Sequence, residues 1–231
     1  MGYRYETHLH TSPASRCARV SVREALEFYR KLDYAGVFIT NHYTDPSRYA
    51  EAGHAERMDF FFADWEEGVR LGRELGLSVF CGVELTYGGS DFLIYGLDRE
   101  WYLAHPELEE MKHRDKLCLM AESGALIVHA HPFREAKYID HIRLFPRNVD
   151  GVEVINASRT AFENRMAREY ADNYELRHFA GSDNHHGAAQ KRLAGVELFE
   201  PIRDERDFAE RIRNGAYTCF SCENPYYEKK E

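Results

Sequence analysis

The sequence predicts a single α/β domain in which helices pack outside a mostly parallel sheet. The chain has 231 residues, a length that suits one domain with a sizeable core, either an α/β barrel or a doubly wound sheet. Hydrophobic residues make up 44% of the chain and charged residues 30%, as in ordinary globular proteins. Short runs rich in Val, Ile and Phe alternate with stretches of helical periodicity, which is typical of parallel strands joined by helices.

Eight short apolar runs are predicted to be strands. They are Tyr3–His8, Gly36–Thr40, Leu77–Glu84, Phe92–Tyr95, Ala125–Ala130, Gly151–Ile155, His178–Gly181 and Tyr217–Phe220. Seven or eight strands in a chain of this length indicate a compact, irregular barrel. In such a barrel, functional side chains gather where the strands end, on the face built from the strand-to-helix loops.

Five stretches between these runs are predicted to be helices. The first begins at a capping box formed by Ser21 and Glu24, in which each side chain satisfies an amide near the helix start. The others are Asp59–Leu75, Glu107–Ser123, Ala161–Asn173 and Asp204–Asn214, three of them followed by a glycine. No repeat or linker divides the chain, so residues 1–231 are expected to form one domain, with 223–231 as a flexible tail.

Composition excludes several classes of function. The chain has 30 Lys and Arg against 39 Asp and Glu, a formal net charge of −9, which argues against nucleic-acid binding through bulk charge. The net charge does not argue against a small phosphorylated substrate, because the electrostatic potential of a local site can be positive in an acidic protein.

Mean hydropathy is −0.59, and no apolar run is long enough for a membrane span. The first residues contain no apolar signal-peptide stretch, so we expect a cytoplasmic location. Five cysteines fit reduced thiols better than a disulfide framework.

Pairs of histidines two residues apart end two of the predicted strands. His8 and His10 end the first strand, and side chains two apart on a strand share a face, so both imidazoles can contact one ion. The same spacing predicts that His129 and His131 share a face. Pro132 stops that strand, which leaves His131 at the rim, whereas His129 lies deeper and is expected to pack or to support a ligand. The first pair could instead be a surface feature that arises by chance.

Single histidines and carboxylates end three other predicted strands. His42 follows the second strand, Glu84 ends the third, and Asp183 and His185 follow the seventh. A carboxylate has two oxygens and can bridge two ions. His is the commonest metal ligand, and five strands deliver a candidate ligand to one rim. The sequence therefore predicts a metal site there.

Asp91 differs because it begins a strand. The segment Thr86–Ser90 is a turn signal, and a hairpin at this point would place Asp91 near Glu84. An aspartate that hydrogen-bonds its own turn is the alternative explanation.

Together these residues resemble the PHP (polymerase and histidinol phosphatase) family of metal-dependent phosphoesterases. The resemblance spans nearly the whole chain. It rests on His8-Leu-His10, Thr40-Asn-His42, Gly82-Val-Glu84, Ala130-His-Pro132 and Gly181-Ser-Asp-Asn-His185. It implies a distorted (β/α)7 barrel with two or three divalent ions, Zn, Mn or Fe, at the strand ends.

The resemblance also implies a ligand set. His8 and His10 would bind one ion with Asp183. Glu84 would bridge to a second ion held by His131. His42 and His185 would hold a third ion. Within this set, Glu84, Asp183 and His131 are the predicted catalytic residues.

Two residues depart from the family pattern. Cys17 occupies the place of a His or Asp that often follows the first histidine pair, and a thiolate is a good zinc ligand but a poorer partner for hard ions. Asp91 falls where many relatives carry a His, and an aspartate ligand shifts preference toward oxygen-loving metals such as Mn²⁺ or Fe²⁺. Both residues are candidate ligands, and each could equally be an ordinary thiol or turn residue. Asn41 replaces a common Asp and should only support the ligands.

The implied reaction is hydrolysis of a small phosphomonoester by a metal-activated water. Histidinol phosphate or a nucleotide phosphate are candidate substrates. Arg134 is the predicted phosphate-binding residue, because a guanidinium matches phosphate oxygens bidentately. Two alternatives stay open: an amidohydrolase-like metallohydrolase, and a catalytically degenerate metal-binding regulatory module.

Overall fold

Nine strands in the described residues form one sheet that curves into a nearly closed barrel. The computed structural model describes residues 2–43 and 51–228. The strands are β1 (Tyr3–Leu9), β2 (Gly36–Ile39), β3 (Ser78–Tyr87), β4 (Ser90–Tyr95), β5 (Leu126–Ala130), β6 (Gly151–Asn156), β7 (Arg177–Gly181), β8 (Arg192–Leu198) and β9 (Tyr217–Glu223). Their order in the sheet is β7-β6-β5-β4-β3-β2-β1-β8-β9.

Six helices surround the sheet in the described part of the chain. They are α1 (Val22–Lys31), α2 (His54–Leu75), α3 (Arg99–Ala104), α4 (His113–Glu122), α5 (Ala161–Asn173) and α6 (Glu205–Arg213). The capping box at Ser21 and Glu24 is confirmed, and α2 ends at Gly76 in the left-handed conformation, with φ of 67°. The predicted helix Glu107–Ser123 is wrong in about its first third: α4 begins only at His113, and a short 3₁₀ turn, Pro106–Glu109, precedes it.

The single α/β chain is confirmed, but the (β/α)7 repeat is not. β1, β2 and β3 pair in parallel, as do β5, β6 and β7. β3 and β4 instead form an antiparallel hairpin through Gly88 and Gly89, with no helix between them. β8, which the sequence pattern did not reveal, pairs antiparallel with both β1 and β9. The expected parallel character therefore holds for only part of the sheet.

The ring closes at the C-terminal end of β1. His10 N–H donates to the carbonyl of Asn184 at 3.0 Å, and Asn184 N–H donates to the carbonyl of His8, also at 3.0 Å. The segment that follows β7 is thereby paired with the end of β1. At the opposite end, the first residues of β1 pair with β8. The mouth of the barrel thus brings the ends of β1 and β7 together.

Aromatic rings fill the barrel at the end opposite this mouth. Phe208 of α6 lies with its ring centroid 4.3 Å from Phe38, 5.3 Å from Tyr95 and 6.3 Å from Phe179. All four side chains are 1% exposed or less. Burial of apolar surface on this scale is the main stabilising contribution to a domain. This aromatic layer supports the polar residues at the mouth of the barrel from below.

Asp207 attaches α6 to the loop before it. Its side chain accepts hydrogen bonds from Arg203 N–H at 2.9 Å and the Arg203 guanidinium at 3.0 Å, and lies 3.1 Å from Arg211. Burial raises the pKa of this carboxyl, but the bonds from Arg203 and Arg211 outweigh that effect and lower it to about 2.

Asp207→Asn is expected to lower the free energy of unfolding at pH 7 by about 1 kcal/mol. Because the folded-state pKa lies below the ordinary value of 3.8, the stabilisation is complete above that value and is lost as the pH falls toward 2. Urea unfolding at pH 7 and at pH 3 should show a smaller difference from wild type at the lower pH. Glu210→Gln, on the exposed side of the same helix, is the control. Equal stability of Asp207→Asn and wild type at pH 7 would contradict this role.

The first residues of the predicted flexible tail are attached to the barrel. Glu223 is the last residue of β9, and the side chain of Asn224 donates to the carbonyls of Ala188 and Gln190 at 2.9 and 2.7 Å. Of the predicted flexible tail, residues 229–231 lie outside the described part of the chain. No helix in the described ranges is long and apolar enough to cross a bilayer.

Candidate metal centre

Side chains from four strands meet at the mouth of the barrel. His8 lies in β1 and His10 directly follows it, Glu84 lies in β3, His131 follows β5, and Asp183 follows β7. All five are at most 6% exposed. The structure therefore brings together residues that are up to 175 positions apart in the chain.

Glu84 lies at the centre of this group. Its Oε1 is 3.2 Å from His8 Nε2 and 3.3 Å from His131 Nε2. Its Oε2 is 3.3 Å from His10 Nε2 and 2.9 Å from His42 Nδ1. The strand does not end at Glu84, as the sequence suggested, because β3 continues to Tyr87. Each carboxylate oxygen thus faces two imidazoles.

Asp183 lies on the other side of the same imidazoles. Its Oδ1 is 3.5 Å from His8 Nε2, 3.6 Å from His10 Nε2 and 3.3 Å from His185 Nδ1, and its Oδ2 is 3.9 Å from His131 Nε2. The two carboxylates therefore enclose the histidine nitrogens between them.

Several of these buried atoms have no hydrogen-bond partner. They are the Nε2 atoms of His8 and His10 and both carboxylate oxygens of Glu84. Leaving buried polar atoms unsatisfied is costly, so such atoms call for an explanation. Oxygen and imidazole donors that converge without partners fit a divalent cation.

The charges of the group fit the same cation. Burial raises the pKa of the Glu84 carboxyl, but the positive charges of His42 and His8 outweigh it and hold the pKa well below its usual value. Burial and the neighbouring His185 place the pKa of His10 well below its usual value, so this imidazole is neutral. Burial lowers the pKa of His8 and of His42, but the neighbouring acidic groups outweigh it and hold both pKa values well above the usual value. Since imidazole ligates metals in its neutral form, a bound cation would take the place of protons on these two rings.

Three sets of ligand atoms lie close enough to hold an ion, each set spanning no more than 4.8 Å. We call His8, Glu84 and His131, together with His8, His10 and Asp183, the inner groups, and His10, Cys17, His42 and His185 the outer group. The members of the inner groups are buried, whereas three members of the outer group are not fully buried. Nine of the predicted site residues were expected to be ligands, and eight of them fall into these sets.

Asp91 is the exception. The predicted hairpin is confirmed, with Asp91 opposite Thr86, but its Oδ2 lies 2.9 Å from Arg134 Nη2 and 3.9 Å from His131 Nε2. Arg134, the predicted phosphate-binding residue, is therefore paired with a carboxylate at the rim. Its Nε is buried without a hydrogen-bond partner.

Cys17 contacts two histidines of the outer group. Burial raises the pKa of its thiol, but hydrogen bonds with His185 and His42 outweigh that effect and bring the pKa to about 6. The thiol is thus easily converted to the thiolate, which is the form that binds metals.

His129 does not share a face with His131, so that prediction is wrong. β5 ends at Ala130, and His131 has a φ of 27°, a left-handed conformation that redirects its side chain away from the strand alternation. The ring of His129 stacks instead on Phe92, with centroids 4.9 Å apart. Burial lowers its pKa to about 3. His129 therefore packs as a neutral ring in the apolar layer.

His129→Leu is expected to keep the full metal content and to change the free energy of unfolding by less than about 1 kcal/mol, since neither ring nitrogen has a hydrogen-bond partner to lose. Metal analysis and thermal unfolding check this. His131→Leu is the matched variant, and it should lose metal. Metal loss from His129→Leu would show that His129 supports the site.

Residues inside two strands complete the site, and sequence reasoning missed them. Glu153 of β6 lies with Oε1 2.9 Å from His8 Nδ1, and its Oε2 accepts from His131 N–H at 3.1 Å and from Asn156 at 2.9 Å. Asn156 also donates to Asp183 at 3.3 Å. The pair thereby contacts three candidate ligands. A carboxylate inside an otherwise apolar predicted strand was the available signal.

Glu6 of β1 is a second buried carboxylate inside a strand. It is fully buried and accepts hydrogen bonds from the backbone of His8 and Ser182 and from the hydroxyl of Tyr29, at 2.9, 3.0 and 2.7 Å. It therefore joins β1 to the segment that carries Asp183.

Comparison with known proteins identifies the fold. No family model matches the sequence, and no curated protein matches it. A two-domain protein from Bacteroides vulgatus that contains a predicted PHP-like metal-dependent phosphoesterase is 15% identical over 95% of this chain, with a TM-score of 0.66, and this chain spans 65% of its length. A putative metal-dependent phosphoesterase from Bifidobacterium adolescentis is 15% identical, covers 90% of this chain and 96% of its own, and has a TM-score of 0.57.

A third structure belongs to a different class of enzyme. An amidohydrolase from Chromobacterium violaceum, with bound sulfate and no metal, is 13% identical over 93% of this chain and 97% of its own, with a TM-score of 0.56. At these identities the likeness shows the fold alone. The resemblance to the PHP family is thus supported at the level of the fold.

Proposed function

We propose that this protein is a metal-dependent hydrolase of small phosphomonoesters. The observation that carries the proposal is the buried Glu84 carboxylate, whose two unpaired oxygens face four imidazoles. A buried anionic carboxylate whose oxygens lie 2.9 to 3.3 Å from four histidine nitrogens is stabilised by a cation that lies between them. The fold shared with proteins described as metal-dependent phosphoesterases supports the same class.

The inner and outer groups would hold two or three divalent ions, Zn, Mn or Fe. When bound, such ions supply an activated water and a positive charge that orients phosphate oxygens. The chain's own residues prepare the site for them. Glu84 would contribute two carboxylate oxygens to the ions, and Asp183 would contribute a second negative charge. His131, Glu84 and Asp183 border the space where the reacting phosphate would lie, and we assign these three as the catalytic residues.

The substrate side of the site contains Arg134. A groove of about 620 Å³ lies beside it and is lined by residues 134–137 and 139–142. None of the candidate metal ligands lines this groove, and Arg134 links it to the site through its ion pair with Asp91. Its size suits a small metabolite. Asp91 holds the guanidinium by one nitrogen, Nη2, and a guanidinium carries five N–H donors, so Arg134 would keep donors for a phosphate oxygen.

Phosphate release from a panel of phosphomonoesters tests the proposal. The purified protein is loaded with Mn²⁺ or Zn²⁺ and assayed on histidinol phosphate, nucleoside monophosphates and other phosphorylated metabolites. We expect metal-dependent release of inorganic phosphate from at least one of them, and loss of that release after chelation. Turnover that is unchanged by complete metal removal would overturn the proposal.

An amidohydrolase-like metallohydrolase is the second candidate, and the fold shared with the Chromobacterium violaceum protein favours it. A panel of amides and lactones, assayed with the same metal-loaded protein, separates the two. Turnover on that panel without phosphate release would assign the second class. Absence of turnover on both panels, with metal bound, would favour a regulatory metal-binding module. The cytoplasmic location stays a prediction.

A further inference from the structure

We propose that Cys17 makes the outer group a thiophilic metal site, which selects zinc-like cations, next to inner groups that also accept harder ions such as Mn²⁺. The inference rests on the proposed metal centre and adds the chemical preference of one of its sites. It concerns a residue in which this chain departs from the pattern of the family that it resembles.

The donor atoms of the outer group differ from those of the inner groups. The outer group offers one thiol sulfur and three imidazole nitrogens, whereas each inner group includes Glu84 or Asp183. Carboxylate oxygens border the outer group without belonging to it: Glu84 Oε2 lies 2.9 Å from His42 Nδ1, and Asp183 Oδ1 lies 3.3 Å from His185 Nδ1. Sulfur and imidazole donors favour Zn²⁺ and Co²⁺, and carboxylate oxygens suit Mn²⁺. The two kinds of group therefore differ in the cation that each prefers.

The three histidine rings of the outer group lie close to one another. The ring centroid of His10 lies 4.2 Å from that of His185 and 4.7 Å from that of His42. His10 Nδ1 lies 3.2 Å from the hydroxyl of Ser15, which leaves Nε2 as the free nitrogen. That atom is fully buried, has no hydrogen-bond partner and lies 3.3 Å from Glu84 Oε2, so its lone pair can be donated to a cation.

The loop that carries Cys17 is attached to the same histidines. Ser15 Oγ accepts a hydrogen bond from His42 N–H at 3.1 Å, and Arg19 N–H donates to the carbonyl of His185 at 2.8 Å. Cys17 lies between these two attachments. The backbone therefore fixes the thiol beside the imidazoles, and the placement does not depend on the side chain alone.

The outer group is also open to solvent. The side chains of His42 and His185 are 36% and 21% exposed, and Cys17 is exposed, whereas the inner residues are buried. Because His10 Nε2 is shared with an inner group, the residues that belong to the outer group alone are Cys17, His42 and His185. The four donors of the outer group match the four-coordinate sulfur and nitrogen ligand sets of zinc sites, and the partial exposure of three of them gives an ion access from solvent.

Cobalt titration of the full chain tests the inference with the metal alone as probe. Wild type should develop an intense thiolate-to-cobalt charge-transfer band in the near ultraviolet. Cys17→Ser should lose the band, and its zinc affinity at one site should fall by on the order of 10- to 100-fold, while Mn²⁺ binding to the inner groups stays unchanged. Cys219→Ser, a cysteine on β9, is the matched control and should keep the band.

Two results would overturn the inference. One is a charge-transfer band that survives in Cys17→Ser, and the other is a Cys17 thiol that iodoacetamide alkylates at the same rate with and without Zn²⁺. Circular dichroism shows whether Cys17→Ser is folded, and alkylation of the wild-type protein gives an answer even if it is not. Since neither measurement uses turnover, the absence of phosphatase activity would refute the proposed function and leave this inference standing.

Discussion

Glu84→Gln is expected to lose bound metal and to lower turnover by about 10³-fold, because removing the central anion takes away about 4 kcal/mol of charge stabilisation. Glutamine has nearly the shape of glutamate, so the barrel should stay folded, but the amide offers only one acceptor oxygen and no negative charge. The four imidazoles that face Glu84 would then lack the anion that balances a cation. Elemental analysis and initial rates of phosphate release measure the two effects.

The matched control is Glu110→Gln, which changes an exposed glutamate and should leave both measurements unchanged. His10→Ala should resemble Glu84→Gln, because His10 belongs to an inner group and to the outer group. Full activity in either Glu84→Gln or His10→Ala would refute the assignment of this site.

Glu153→Gln should lower metal affinity by about 10- to 100-fold without removing any ligand. Glu153 uses both oxygens as acceptors, one toward His8 Nδ1 and the other toward His131 N–H and Asn156. A glutamine can satisfy only one of these sides, so its NH₂ group would oppose a donor. The variant should also lose about 1–3 kcal/mol of stability. Calorimetric titration with Mn²⁺ and urea unfolding report the two effects separately.

The affinity result distinguishes positioning from simple structural support. If urea unfolding shows reduced stability while the Mn²⁺ affinity equals that of wild type, Glu153 supports the fold and does not position His8. If both fall, His8 requires the Glu153 carboxylate to present its Nε2 to the metal.

The ligand candidates were predictable because strand ends are visible in the sequence. His8, Glu84 and Asp183 each follow or end an apolar run, and the ends of barrel strands converge whatever the details of the loops. The prediction needs only the approximate position of each strand end. Glu84 was therefore placed at the site correctly, although β3 continues for three residues beyond its predicted end.

The residues that the sequence missed depend on contacts between distant segments. The left-handed backbone of His131 is accompanied by a hydrogen bond from its N–H to Glu153, 22 positions away, and no local pattern signals that turn.

β8 was missed because Arg192–Leu198 begins with a charge and contains a Gly and a Glu. Its place in the sheet comes from pairing with β1 and β9. Helix α4 was predicted too long because the 3₁₀ turn at Pro106–Glu109 leads into the helix that begins at His113, and the two segments were read as one helix.

The central claim is that the mouth of the barrel binds a cluster of divalent ions. Crystals grown with Mn²⁺ or Zn²⁺, measured near the absorption edge of the metal, test it directly. We predict anomalous peaks within bonding distance of Glu84 and Asp183, flanked by the imidazoles of His8, His10 and His131. A map with no anomalous peak near Glu84, at metal concentrations that saturate binding in solution, would contradict the account.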